Sequence, residues 1–147
     1  MLALAPAIAR ADPPIEPLTH FPAAELTIAA HGQTFPFHVR LATTDARREQ
    51  GLMFVKTLGS DEGMLFLWPG AHIQSFWMKN TLIPLDLLFI AADGVVIHIA
   101  ADAVPLSEAP IGSMGPVKGV LEVRGGTARH LGIQTGDRVL FPAFSGL

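Results

Sequence analysis

Polar side chains interrupt the apolar stretch FWMKNTLIPLD, residues 76–86, and they are the first candidates for chemistry in this sequence. Lys79 and Asn80 follow a hydrophobic strand, and Asp86 opens the next one. Strand alternation places Lys79 on the same face as Trp77, and the proline between the two segments predicts a bend that brings Asp86 back toward the lysine. A few polar groups that converge in an apolar hollow are typical of small-ligand sites.

The residues alone leave two interpretations of this stretch open. In the architectural one, Asn80 caps a corner while Lys79 and Asp86 form a buried ion pair, and losing either partner would cost about 3–5 kcal/mol. In the functional one, the same three side chains line a pocket whose walls include Trp77 and Trp68. Both interpretations predict that the polar groups converge at the bend.

Glu122 is a second carboxylate within an apolar strand, VLEV, and it must face either solvent or a polar partner. Solvent is the simpler prediction. Together with Asp86 it could support glycoside hydrolysis, which needs two carboxylates beside the scissile bond. The candidate ligand-binding residues are therefore Trp77, Lys79, Asn80, Asp86 and Glu122.

Other reactive groups lack the spacing that chemistry requires. The chain has no cysteine, and its six histidines form no close i, i+2 or i, i+4 pair that would suit zinc. Its methionines lie mostly in apolar runs, where they are common core fillers and not copper ligands. No serine stands in a nucleophile elbow, and no glycine loop is placed to hold a phosphate. The sequence predicts no metal and no cofactor, and it favours a protein that is not an enzyme.

Short apolar segments divided by turns must position these residues. Alternating residues 34–42, the apolar runs at 63–68 and 117–123, and a hairpin signal at 92–94 all predict strands. Residues 44–53 predict a short helix capped by a threonine or an aspartate. About eight strands with one or two short helices predict a mainly β fold, either a compact, mostly antiparallel β-barrel or a curled sheet.

Composition limits the class of protein. The chain has 147 residues, which fits one domain, and half of them are apolar while only 16% are charged. Net charge is −3 with no basic block, so no nucleic-acid partner is expected. No apolar run approaches the roughly 18 residues that a transmembrane helix needs. The sequence makes no prediction about the oligomeric state.

The first residues resemble the end of a secretion signal. Ala9, Arg10 and Ala11 form an A-x-A pattern before Asp12, and four prolines follow within residues 12–22. We therefore divide the chain into a signal remnant with a proline-rich leader, residues 1–24, and a single β-rich domain, residues 25–147. The leader predicts a periplasmic or otherwise exported protein.

Several motifs carry a resemblance to a known family. They are GLM at 51–53, DEGMLFLW at 61–68, FWMKNTLIPLD, and VLEVRGG at 120–126 followed by Gly136 and Asp137. Over about residues 40–141 the chain resembles the bacterial and archaeal family called domain of unknown function 192. The resemblance implies a compact, largely β fold that is often exported. It implies no activity, cofactor or catalytic residue.

The sequence thus favours an exported protein that binds a small polar ligand, such as a saccharide or an envelope fragment, without catalysis. One alternative is a hydrolase of envelope carbohydrate, with Asp86 and Glu122 as its carboxylates and Lys79 and Asn80 as orienting groups. Another is a structural or interaction protein in which the central motif is purely architectural. These alternatives differ in where the polar side chains point.

Overall fold

The computed structural model describes residues 14–145 together with Ala3 and Ala5. The predicted cleavage site at residues 9–11 therefore lies outside the described residues. Within the described part there are seven strands, two α-helices and one 3-10 turn, Leu18–His20. The strands are β1 (Ala23–Ala30), β2 (Gln33–Ala42), β3 (Glu62–Phe76), β4 (Leu85–Ile90), β5 (Val96–Ala103), β6 (Ile111–Arg124) and β7 (Arg138–Leu140). The helices are α1 (Asp45–Gln50) and α2 (Thr127–Leu131).

All seven strands form one curled sheet in the order β5-β4-β6-β3-β2-β1-β7. Every pair in it is antiparallel except β2 with β3. The sheet curls so far that its two ends, near β5 and β7, come into contact. There the Val139 N–H donates to the Gly94 carbonyl and the Val96 N–H donates to the Asp137 carbonyl, each at 2.8 Å. The predicted mainly β, mostly antiparallel curled sheet is confirmed as a half-barrel.

Apolar side chains fill both faces of the central strands. One set, which we call the first core, receives side chains from all seven strands and includes Leu65, Leu88 and Leu121. The other set, the second core, includes Phe66 and Leu87. Because β4 and the paired segments 63–66 of β3 and 119–123 of β6 are buried on both sides, their sequences are mostly apolar and do not alternate. Successive side chains of such a strand point to opposite faces, so they enter the two cores alternately.

Helix α1 lies over the second core and begins at the predicted cap. The Thr44 hydroxyl accepts a hydrogen bond from the Arg47 N–H at 3.2 Å, which satisfies one of the free donors of the first turn. The helix ends at Gly51, whose φ of 50° lies in the left-handed region that glycine adopts easily. A Cβ at Gly51 would lie 3.1 Å from the Phe66 ring, so this residue also lets the end of α1 approach β3 closely.

Residues 14–17 lie against α1 and form a segment that we call the strap. The Gln50 side chain accepts a hydrogen bond from the Glu16 N–H and donates one to the Glu16 carbonyl, both at 2.8 Å. The Arg47 guanidinium adds two hydrogen bonds to the Glu16 carboxylate, at 3.1 and 2.9 Å. This contact holds the pKa of Glu16 below its usual value. The part of the predicted leader that the structure describes is therefore fastened to the domain.

Replacing Gln50 by leucine should loosen the strap, which Arg47 still holds at the Glu16 carboxylate, without unfolding the sheet. The Glu16 N–H would lose its acceptor, so we expect its hydrogen exchange, measured by NMR, to become at least about tenfold faster. Gln134→Leu is the matched control, because Gln134 is exposed and lies far along the chain in a turn before β7. An unchanged exchange rate at Glu16 in Gln50→Leu would show that the two amide contacts do not hold the strap.

Candidate functional site

The bend between β3 and β4 is fixed by backbone hydrogen bonds. Asn80 has a φ of 54°, a left-handed conformation that asparagine tolerates better than most residues. The Thr81 N–H donates to the Met78 carbonyl at 3.1 Å and closes the turn. The Asn80 carbonyl accepts from the Phe54 N–H at 2.9 Å, which joins the bend to the loop after α1. Lys79 and Asn80 are thereby carried to the side of the sheet where α1 packs.

Three of the predicted site residues meet in a recess between this bend, α1 and the strap. Trp77, Lys79 and Asn80 line a cavity of about 280 Å³, which we call the strap recess. The Lys79 ammonium lies 5.1 Å from the centroid of the Trp77 ring, a cation–π distance. Asn80 directs its amide nitrogen toward the Met53 sulfur at 4.0 Å. The motif therefore does bring its lysine, amide and tryptophan together.

Asp86 does not join them. It is fully buried, and its carboxylate accepts hydrogen bonds from the backbone N–H groups of Asp102, Gly126 and Ala128 at 2.8, 3.1 and 2.8 Å. The predicted ion pair between Lys79 and Asp86 is wrong, because the Asp86 carboxylate is turned to the other face of the sheet and bonded by these donors. Asp86 fastens β4 to the end of β5 and to the start of α2.

Glu122 is buried in the middle of β6. Its neighbours across the sheet are Met64 on β3 and Leu87 on β4, both members of the second core, and only 5% of the residue is exposed. Among the described residues its carboxyl group has no hydrogen-bond or ion-pair partner. Burial raises the pKa of Glu122 from its usual value of 4.5 to about 8. The prediction that this carboxylate faces solvent is wrong.

The Glu122 side chain lines a second cavity of about 300 Å³, which we call the glutamate recess. Trp68, Phe76, Trp77 and Thr81 are among the other residues that line it, and the Thr81 hydroxyl donates to the Lys79 carbonyl at 3.2 Å. Phe76 stands edge-on to Trp68, with their ring centroids 6.1 Å apart. No buried side-chain nitrogen or oxygen lacks a partner in the described residues, so the unbonded Glu122 carboxyl keeps accessible surface in this recess.

Arg48 is the basic residue that lines the glutamate recess, and it is already engaged. Its guanidinium donates to the Leu67 carbonyl at 2.6 Å and to the Asp45 carboxylate at 2.8 Å. It also lies over the Trp68 ring, 5.5 Å from the centroid. Arg48 is thus held at the wall by three contacts, and it forms no ion pair with Glu122.

The two recesses share a wall, so four of the five predicted residues surround one region. Trp77 lines both cavities, Lys79 and Asn80 line the strap recess, and Glu122 lines the glutamate recess. Sequence reasoning missed Arg48 and Gln50, because nothing in the helix pattern shows which face of α1 meets β3. It also missed Phe76, because the Pro69-Gly70 pair predicts the end of a strand that in fact continues to residue 76.

The proposed catalytic pair is not formed. In the register of β4 against β6, Asp86 lies opposite Val123 and Leu87 lies opposite Glu122. Directly opposed residues share a face of the sheet, so Asp86 and Glu122 project to opposite faces. The hydrolase that would use these two carboxylates on one bond is therefore wrong.

Residues 14–145 contain no group of three or more histidine, aspartate or glutamate side chains arranged to hold a metal ion. In the same range no helix has both the length and the hydropathy to cross a bilayer.

The fold and the site define a small, mostly β domain with aromatic-walled recesses on one face of a half-barrel. The family model of domain of unknown function 192, described as "Uncharacterized ACR", matches residues 26–141. The chain belongs to this family, as its motifs predict.

Two solved structures resemble the chain closely. A protein of unknown function from Novosphingobium aromaticivorans is 40% identical, with a TM-score of 0.82 over 95% of this chain and 99% of its own. A protein from Sinorhizobium meliloti described as a "putative transcription regulator" is 43% identical, with a TM-score of 0.80 over 82% of this chain and 94% of its own. No curated relative matches the chain.

Proposed function

We propose that the protein binds a small polar ligand in the glutamate recess and does not transform it. The observation that carries this proposal is Glu122, a carboxyl that is 5% exposed, has no partner among the described residues, and lines a cavity of about 300 Å³. The Glu122 carboxyl is nearly buried but keeps accessible surface, so a ligand in the recess can supply the hydrogen bond that no described residue makes.

The walls of the recess suit a ligand with one polar and one flat apolar side. Ligand sites combine a mostly apolar lining with a few polar groups that fix orientation, and their volumes begin at about 300 Å³. Here Trp68 and Trp77 supply flat aromatic surface, while Glu122 supplies a hydrogen-bonding carboxyl. A saccharide or another small fragment of the cell envelope has this character and this size.

Binding without catalysis is favoured by what surrounds the carboxyl. Among the described residues that line the glutamate recess, Ser75 and Thr81 have hydroxyls, but none is a histidine or a lysine that could serve as a base. Nucleic acid is not the ligand that we propose, since the chain has a net charge of −3 and no basic block. The proposed setting is the periplasm or another exported location, which the A-x-A pattern ending at Ala11 indicates.

Tryptophan fluorescence tests the proposal directly, because both tryptophans of the chain line the glutamate recess. Titration with simple saccharides and soluble peptidoglycan fragments should give a saturable change in emission. Trp77→Ala should weaken binding at least about tenfold, with Trp68 as the remaining reporter, because the flat wall is lost. Circular dichroism and the melting temperature should stay close to those of the parent protein, since Trp77 is 45% exposed.

Phe54→Ala is the matched control, since Phe54 is 48% exposed and lines only the strap recess. A loss in Phe54→Ala equal to that in Trp77→Ala would move the ligand to the strap recess. If no saccharide or envelope fragment changes the emission, the proposed function is wrong.

A further inference from the structure

The charges around the glutamate recess are unbalanced toward the negative. Of the described residues that line it, Asp45, Glu49 and Glu122 are acidic, and Arg48 is the one basic residue. Arg48 is bonded to Asp45, with the two charged groups 2.8 Å apart. With that pair matched, Glu49 is left as a negative group of the cavity, and Glu122 adds a second negative charge when it is ionised. A negatively lined cavity favours cations over neutral molecules and opposes anions.

Glu122 needs a partner that donates hydrogen bonds. An ionised carboxylate only accepts, and a buried charge is stable only when an opposite charge or several donors reach it. The strands on either side present Met64 and Leu87 to Glu122, which offer neither. An ammonium group offers three donors and a positive charge in one compact group.

The aromatic walls are also suited to a cation. Ring faces attract positive charge, and this structure already holds two cations against them. Arg48 lies over Trp68 and Lys79 lies over Trp77, with distances to the ring centroids of 5.5 and 5.1 Å. A carboxylate that shares a recess with aromatic side chains therefore suits a protonated amine.

We propose that the ligand carries a protonated amino group, which binds the Glu122 carboxylate, while the rest of the ligand lies against Trp68 and Trp77. This inference rests on the proposed function and narrows its ligand to an amine-bearing molecule. Binding forms an N–H···O ion pair and breaks no covalent bond. The proton that Glu122 holds in the free protein is released to solvent when the ammonium binds.

Proton release gives binding a pH dependence. The pKa of Glu122 is raised to about 8, so at pH 6.5 most of the free protein must lose a proton before it pairs with the ammonium. Affinity for the amine should therefore rise by about tenfold from pH 6.5 to 7.5. The other charged groups that line the recess, Asp45, Arg48 and Glu49, all come from α1. A simple alkyl amine stays protonated throughout this range.

Two glucosides that differ in one group provide the test. We would titrate the full chain with 2-aminoethyl glucoside and with 2-hydroxyethyl glucoside and follow tryptophan emission at pH 6.5 and 7.5. At pH 7.5 the 2-aminoethyl glucoside should bind at least about tenfold more tightly than the 2-hydroxyethyl glucoside. Only the affinity of the 2-aminoethyl glucoside should depend on pH. Calorimetry in two buffers of different ionisation enthalpy should show release of close to one proton for the amine alone.

Variants separate the role of Glu122 from the general charge of the surface. Glu122→Gln should bring the two glucosides to equal affinity and abolish proton release. Glu108→Gln is the matched control, since Glu108 is exposed and lies outside both recesses, and it should keep the preference. If both glucosides bind equally to the parent protein, the amine inference is wrong while the proposed function stands. If neither glucoside nor any envelope fragment binds, both are wrong.

Discussion

Replacing Glu122 by glutamine is expected to make the protein more stable at pH 9, by up to roughly 5 kcal/mol in the free energy of unfolding. Burial raises the pKa of Glu122 from 4.5 to about 8, because the ionised carboxylate is held among apolar side chains without a partner. At pH 9 the native protein must therefore keep an uncompensated buried charge. Glutamine fills nearly the same volume and never carries that charge.

The sign of the effect follows from which state holds the proton. Between pH 4.5 and pH 8 the folded protein keeps a proton that the unfolded chain has released, so stability falls as pH rises through this window and levels off above it. The glutamine variant lacks this slope. The difference between the two proteins should be within about 1 kcal/mol at pH 5, should grow up to about pH 8, and should level off toward pH 9.

Urea denaturation at pH 5, 7 and 9 would measure this difference. Glu108→Gln makes the same chemical change at an exposed position, and its stability should follow that of the parent protein at all three pH values. Parallel pH profiles for the parent protein and Glu122→Gln would show that the carboxyl is not held in an apolar environment. The ligand proposal would then lose its main support.

Local sequence signals predicted much of the sheet, because hairpins and apolar runs depend on neighbouring residues. The hairpin after β4 and the cap at Thr44 are examples. The parallel pairing of β2 with β3 was not predictable in this way, since α1 and a long loop separate the strands. The length of β3 was also missed. Pro69 and Gly70 interrupt its regular pairing with β6, but the register shifts between Leu67 and His72 and the strand continues.

The site was predicted only in part. In a strand that is buried on both faces, alternation of apolar and polar residues no longer shows to which face a side chain points. A polar residue in a half-buried strand faces water, and this rule led to the wrong prediction for Glu122. In β4 and β6 both faces are apolar, so the sequence cannot show which core a carboxylate enters. Cross-strand register decided that Asp86 and Glu122 diverge. The grouping of Trp77, Lys79 and Asn80 was predictable because one short bend carries all three.

Asp86→Ala is expected to lower the free energy of unfolding by about 3–5 kcal/mol. The Asp86 carboxylate accepts three backbone hydrogen bonds, from Asp102, Gly126 and Ala128, and the whole residue is buried. Removing it leaves these donors without an acceptor at the point where β4, β5 and α2 meet. Each unsatisfied buried donor costs about 1–3 kcal/mol, and the loop that leads into α2 has no side-chain cap of its own.

Asp93→Ala provides the matched control, because Asp93 is exposed and accepts only one backbone hydrogen bond, from the Val95 N–H at 3.1 Å. Its loss should cost less than about 1 kcal/mol in urea denaturation. Asp86→Asn keeps one strong acceptor, so its loss of stability should lie between those of Asp86→Ala and Asp93→Ala. Hydrogen exchange at Ala128 should become faster in Asp86→Ala and stay unchanged in Asp93→Ala. If both alanine variants lose the same small amount of stability, the structural role of Asp86 is wrong. Asp86 would then again be a candidate for binding a ligand.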